Sequence, residues 1–176
     1  ALELAKTDIA RRYNKPGAVY LGVVSRLDSA VSGVLVFART SKAAARLSAQ
    51  FRDRTAKKTY VAITSRPPQK QADQLECWMK RNDQRQITVP ASPQEDNAQK
   101  CSLDYQVLGQ GSGHSLLKIT PHTGRKHQIR AQLKQIGTPI LGDLKYNSDC
   151  SFPQRIVVSA SLAPMSARTR AGWLKM

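Results

Sequence analysis

The sequence predicts an α+β domain, a mixed and largely antiparallel sheet with flanking helices. Three observations lead there. Short β-patterned runs, at 19–24, 34–38, 57–64, 75–79, 86–89, 102–108, 115–120 and 156–160, outnumber three helical patterns. Their order is not a strand–helix alternation, which argues against a doubly wound parallel sheet. A glycine-rich link, GQGSG at 109–113, separates two of the runs as a hairpin connection would. At 176 residues and 40% hydrophobic content the chain can bury one real core, so a single domain over 1–176 is expected.

The elements follow in order. Leu2, Leu4 and Ile9 among polar residues predict a first helix, ended by Asn14-Lys15-Pro16-Gly17. VYLGVV (19–24) and VLVFA (34–38) are short, β-branched runs that read as buried strands. Ser41 is the expected N-cap of a second helix whose apolar stripe is Ala44, Leu47 and Phe51, with Ala43 alongside. In the strand 57–64, alternation puts Tyr60 and Ala62 on one face and Val61 and Ile63 on the other. The runs 75–79 and 86–89 suit a pair of short strands, and 102–108 with 115–120 an antiparallel pair. A third helix is expected from about Gly124 to Gln135, with Thr123 as its N-cap and a stop at Gly137 and Pro139.

Charge restricts the partner. Lys and Arg number 28 against 12 Asp and Glu, a formal net charge of +16 and a pI near 10.3. Such an excess repels itself in the compact state and points to a polyanion, of which nucleic acid is the commonest. No apolar run is long enough to span a bilayer, and the first residues lack a signal-peptide core, so a cytoplasmic protein without membrane association is expected. Cys77, Cys101 and Cys150 are odd in number and far apart, as reduced thiols would be. His122 and His127 do not share a helical face, and His114 stands alone, so no metal site is expected. Nucleophile-elbow, phosphate-loop and dinucleotide patterns do not occur, which disfavours hydrolase, kinase and dehydrogenase chemistry and gives no reason to expect a cofactor. The chain starts at alanine, and an excised or processed piece of a longer protein is therefore expected.

Two stretches carry chemistry. In VSRLDSAVSGVLVF, Asp28 lies beside Arg26 on a connection between two apolar runs, where a carboxylate is costly to desolvate unless a cation pairs with it. In HTGRKHQIR, a cap at Thr123 puts Arg125 and Lys126 in the first helical turn, the end already made positive by the macrodipole. An anion held there would resolve the conflict, either the Asp28 carboxylate or a nucleic-acid phosphate.

RLDSAVSGVLVFART, KKTYVAI, GRKHQIRAQL and PILGDLKY, in that order, resemble the RluA-type pseudouridine synthases. Arg26, Leu27, Asp28, Ser32 and Gly33 match the central signature, with Ser25 and Val31 in place of the usual histidine and threonine. Gly124, Arg125, His127, Gln128, Ile129 and Arg130 match the later one, and Lys58 and Tyr60 the K-x-Y strand. The usual leading strand has no counterpart before the first helix, and the terminal family pattern is eroded to Val158-Ser159-Ala160 and the residues after it.

The resemblance implies a pseudouridine synthase fold with a central RNA-binding cleft. It implies an isomerase that converts uridine to pseudouridine in ribosomal or transfer RNA, with no metal or organic cofactor. Asp28 would be the nucleophile, attacking either the ribose C1′ or the uracil ring, and Arg125 would hold it ionised. Tyr60 would stack on the base and relay a proton, and Ile129 would wall the uracil pocket. The base must leave its stack to reach Asp28, and Arg26 would face the RNA where it leaves. Lys58, Lys126, Arg130 and Lys145 would meet phosphates, and His127 and Gln128 would line the substrate side. A monomer is expected. The alternative is a non-catalytic RNA-binding module of the same fold.

Overall fold

The computed structural model describes residues 1–27 and 31–146 in full and 158–162 as backbone. The described residues form two compact units, one of residues 1–27, 33–57 and 162, the other of residues 31–32, 58–146 and 158–161.

The first unit opens with helix α1 (Leu2–Arg12), where the sequence predicts it. Strand β1 (Gly22–Val23) pairs antiparallel with β3 (Phe37–Ala38), and β2 (Ser32–Gly33) lies between them in sequence. The expected strands at 19–24 and 34–38 thus pair over only two residues each. Helix α2 (Ser41–Arg52) starts one residue earlier than expected. Thr40, in extended backbone, is the N-cap, and its hydroxyl accepts from the Ala43 amide at 3.1 Å. Leu47, Val36 and Ala38 make this unit's core, with Ala43, Ala44 and Phe51 packed on it. A Cβ at Gly22 would lie 3.0 Å from that of Ala44, so a glycine is what lets α2 approach β1 this closely.

The second unit is the sheet. Strands β4 (Lys58–Thr64), β5 (Ala72–Asn82), β6 (Ile87–Pro90), β7 (Gln99–Gly111), β8 (His114–Pro121) and β9 (Val158–Leu162) join β2 in the order β2-β9-β4-β8-β7-β5-β6. The four ladders from β4 to β6 are antiparallel, as the sequence predicts. β5 and β7 run well beyond the expected segments. The added ends, 72–74 and 80–82 on β5 and 99–101 and 109–111 on β7, are mostly polar or glycine, and an apolar count does not register such strands. The β7–β8 connection is also tighter than GQGSG suggests. Only Ser112 (φ 52°) and Gly113 (φ 77°) form the loop, both left-handed as a type I′ hairpin requires.

One face of this sheet carries the core: Ala62, Leu103, Tyr105, Leu117 and Ile119, joined by Leu133 and Ile140. Helix α3 (Gln128–Gln135) supplies Leu133, and Ile140 reaches the sheet through a bridge to Thr64. Cys77 and Cys101 sit directly opposite on β5 and β7 as free thiols, and burial pushes both thiol pKa values up. Cys150 and the basic tail lie outside the described residues.

Candidate active site

The strand register fixes one side of the site. Lys58, Tyr60, Ala62 and Thr64 share a face of β4, and Tyr60 stands opposite Ile119. Tyr60, Ile129 and Val31 are all half-buried against the core cluster just described. The tyrosine and the isoleucine implied by the sequence, and Val31, thus each pack on the same core cluster. Lys58 is half-buried, and burial holds its amine below the usual lysine range.

The other side of the site is the turn 122–127 and the start of α3. Here the structure overturns the expected cap. His127 is left-handed (φ 55°), and the helix begins only at Gln128. Thr123 cannot cap, because its hydroxyl accepts from the Ser102 amide at 2.9 Å and donates to Gln128 Oε1 at 2.7 Å. Gln128, 3% exposed, folds back over the turn instead. Its Oε1 also accepts from the Arg125 amide at 3.1 Å, and its Nε2 donates to the Ser102 carbonyl and to Gln132 Oε1. Gln132 passes the connection to the Leu75 carbonyl on β5. Arg125 and Lys126 thus precede the helix on a clamped turn, both exposed, rather than lying in its first turn.

A third group locks the far end of this turn. The Thr88 hydroxyl on β6 donates to the Lys126 carbonyl at 2.6 Å, and the Thr88 amide donates to Tyr146 Oη at 2.7 Å. Tyr146 ends the 3₁₀ turn Leu144–Tyr146 and lies 3.1 Å from His127 Nδ1. Arg130 stacks over the Tyr146 ring at 4.9 Å and grips Asp143 with two bonds of 2.7 and 2.6 Å.

Comparison with known proteins bears on what this arrangement is. The sequence profile described as RNA pseudouridylate synthase matches residues 2–135, which include Tyr60, Arg125 and Ile129. This chain belongs to that family. The chloroplastic RNA pseudouridine synthase 2 of rice (Oryza sativa subsp. japonica) is 34% identical over 135 residues, 74% of this chain and 30% of its own length. The dual-specificity RNA pseudouridine synthase RluA of Haemophilus influenzae is 36% identical over 149 residues, 78% of this chain and 60% of its own. The solved structure of human RNA pseudouridylate synthase domain containing 1 superposes with a TM-score of 0.78 at 25% identity, covering 97% of this chain and 73% of that one. The chain therefore spans less than two thirds of the rice and Haemophilus enzymes. The RluA-type resemblance of its motifs and its α+β pseudouridine synthase fold both stand.

Family membership leaves the individual residues to be placed. Tyr60 and Ile129 both pack on the core cluster, and His127 and Arg130 flank Tyr146. Lys126 and Lys145 are exposed near the β6 end that Thr88 stitches to both their segments. Arg26 is exposed in the first unit, and Asp28 lies outside the described residues. Two of the expected RNA contacts have partners inside the protein. Arg130 (12% exposed) is committed to Asp143 (1% exposed), so its charge is already answered inside the protein. Gln128 is buried and spends both ends of its amide on the turn. Asp143, Tyr146, Thr88 and Thr123 are the residues missed. The only signal for the first two is the segment PILGDLKY, which carries the resemblance without indicating a role.

Removing one partner of the Arg130–Asp143 pair strands a buried charge. Asp143→Ala is expected to lower unfolding free energy by about 3–5 kcal/mol, measured by urea denaturation. Lys58 gives a pH effect. Its folded pKa is depressed, so between that value and the ordinary lysine value the unfolded chain binds more protons. Stability then rises with pH across that interval. Lys58→Met should flatten this alkaline rise in a urea series taken from neutral to strongly alkaline pH.

Proposed function

We propose that this chain isomerises uridine to pseudouridine within ribosomal or transfer RNA, as one catalytic domain using only its own side chains. What carries the reading is the family match over 2–135, which includes Tyr60, Arg125 and Ile129. In the reaction the C1′–N1 bond breaks, the uracil turns, and a C1′–C5 bond forms. The C5 proton leaves and N1 becomes protonated, so atoms balance without a redox partner. Asp28 is the nucleophile of this proposal, on the match of Arg26, Leu27, Asp28, Ser32 and Gly33 to the central signature of the family. Arg125 would keep the carboxylate ionised against desolvation, from a turn that Gln128 holds still. Tyr60 offers its ring to the flipped base and its hydroxyl to the departing proton. Arg26, Lys126 and Lys145 would meet phosphates. A cytoplasmic monomer remains part of the proposal.

Incubation with ribosomal and transfer RNA, followed by nucleoside chromatography, should reveal new pseudouridine. Asp28→Asn should slow its appearance by at least about a thousandfold with RNA binding retained. Undiminished conversion by that variant would remove Asp28 from its role. Binding without conversion by the natural sequence would favour the non-catalytic RNA-binding module. Binding should also weaken with salt, with a log–log slope on the order of −3 if about three phosphates are neutralised. A flat response, measured by fluorescence anisotropy, would assign the basic surface another purpose.

A further inference from the structure

We propose that Tyr146 is a positioning residue whose hydroxyl fixes His127 as the Nε2–H tautomer, and so sets the turn that carries Arg125 and Lys126. A count of donors and acceptors leads there. Tyr146 is 3% exposed, so its phenol cannot settle its hydrogen bonds with bulk water. A backbone amide can only donate, and the Thr88 amide donates to Oη at 2.7 Å, taking an acceptor position of that oxygen. The phenolic proton then needs an acceptor, and His127 Nδ1 lies 3.1 Å away. Nδ1 accepts only in the neutral imidazole whose proton is on Nε2. In the opposite tautomer Nδ1–H and the Thr88 amide would both donate to the phenol oxygen, and the buried phenolic proton would lose this acceptor, a cost of about 1–3 kcal/mol. Burial also raises the Tyr146 pKa, so the phenol keeps the proton it must donate.

The ring geometry is consistent with this assignment. The His127 ring meets Tyr146 edge-on, with centroids 5.8 Å apart at 81°. The Arg130 guanidinium covers the face of Tyr146 while gripping Asp143. His127 is itself the left-handed residue that separates the turn from α3, and its carbonyl accepts the Ala131 amide at 3.0 Å. A tautomer fixed at this residue fixes ring and backbone together. It also keeps a third positive charge off a turn that already carries two. The structural part needs no assumption about RNA, and the consequence for turnover rests on the proposed function.

The test is nitrogen NMR of the three histidines in the RNA-free protein at near-neutral pH, with His127→Gln identifying the signal. A His127 Nδ1 without a proton and an Nε2 bearing one are expected. Tyr146→Phe keeps the ring that Arg130 covers and removes only the hydroxyl, so it should give a mixture of tautomers or a charged ring. In the isomerisation assay the same variant should raise KM for RNA about tenfold with kcat within about twofold. A natural protein whose His127 carries its proton on Nδ1, or on both nitrogens, would overturn the proposal. So would a Tyr146→Phe spectrum unchanged from the parent. These readings hold whether or not the chain makes pseudouridine, so failure of one proposal is distinguishable from failure of the other.

Discussion

The buried amide of Gln128 is the contact on which the arrangement of this site depends. A primary amide offers two donors and an acceptor with two lone pairs, and here both ends are spent within the protein. They reach the turn at Thr123 and Arg125, strand β7 at Ser102, and onward through Gln132 to β5. An apolar residue of the same size would fill the space and leave the Arg125 amide and the Thr123 hydroxyl without this acceptor. Loss of buried partners costs more than their presence gains, so the network specifies a conformation more than it adds stability. What it specifies is where the backbone of Arg125 lies.

A second constraint acts from the opposite end of the turn. Asp143 is almost fully buried, and a lone carboxylate there would be untenable. Two charge-assisted bonds from Arg130 make it tolerable, and planar guanidinium geometry lets the same group cover Tyr146. Helix α3 is thereby pinned to the segment after Ile140, while Thr88 pins that segment and the turn to β6. The two networks meet at the turn 123–127, through Gln128 on one side and through Lys126 and His127 on the other. Only eight residues of helix come after it. So short a helix has little stability of its own, and its start is held by tertiary contacts.

These contacts account for which parts of the molecule are legible in the sequence and which are not. The pattern of β4 is legible because a half-buried strand shows its alternation directly, and Tyr60 and Ala62 fall on the expected face. The antiparallel neighbours β7 and β8 are legible for the same reason, with the type I′ loop hidden inside a longer glycine-rich run. The start of α3 is not, because Thr123 is a good capping residue in isolation. Its hydroxyl has a better use across the sheet, at Ser102, and no local rule reports a partner 21 positions away. Thr40 displaces Ser41 by a single position, a choice between two competent caps. Asp143 and Tyr146 are visible only as part of a motif, since their partners Arg130, His127 and Thr88 come from separate segments.

The internal partners of these side chains change how the basic charge must be understood. Arg130 reads in the sequence as one more cation for RNA, yet its charge is answered by Asp143 before any partner arrives. The Gln128 amide adds none. At the turn and the adjoining 3₁₀ turn the exposed cations are Arg125, Lys126 and Lys145, a small part of a net charge of +16. Attraction of a polyanion must then be spread over the wider surface, where charges are hydrated and act at a distance. The turn itself is built for placement. Two cations on a turn whose backbone is clamped from both sides, with Lys145 on the neighbouring 3₁₀ turn, can discriminate between positions of a phosphate or carboxylate better than a flexible basic tail, because the entropy of ordering that backbone was lost when the protein folded.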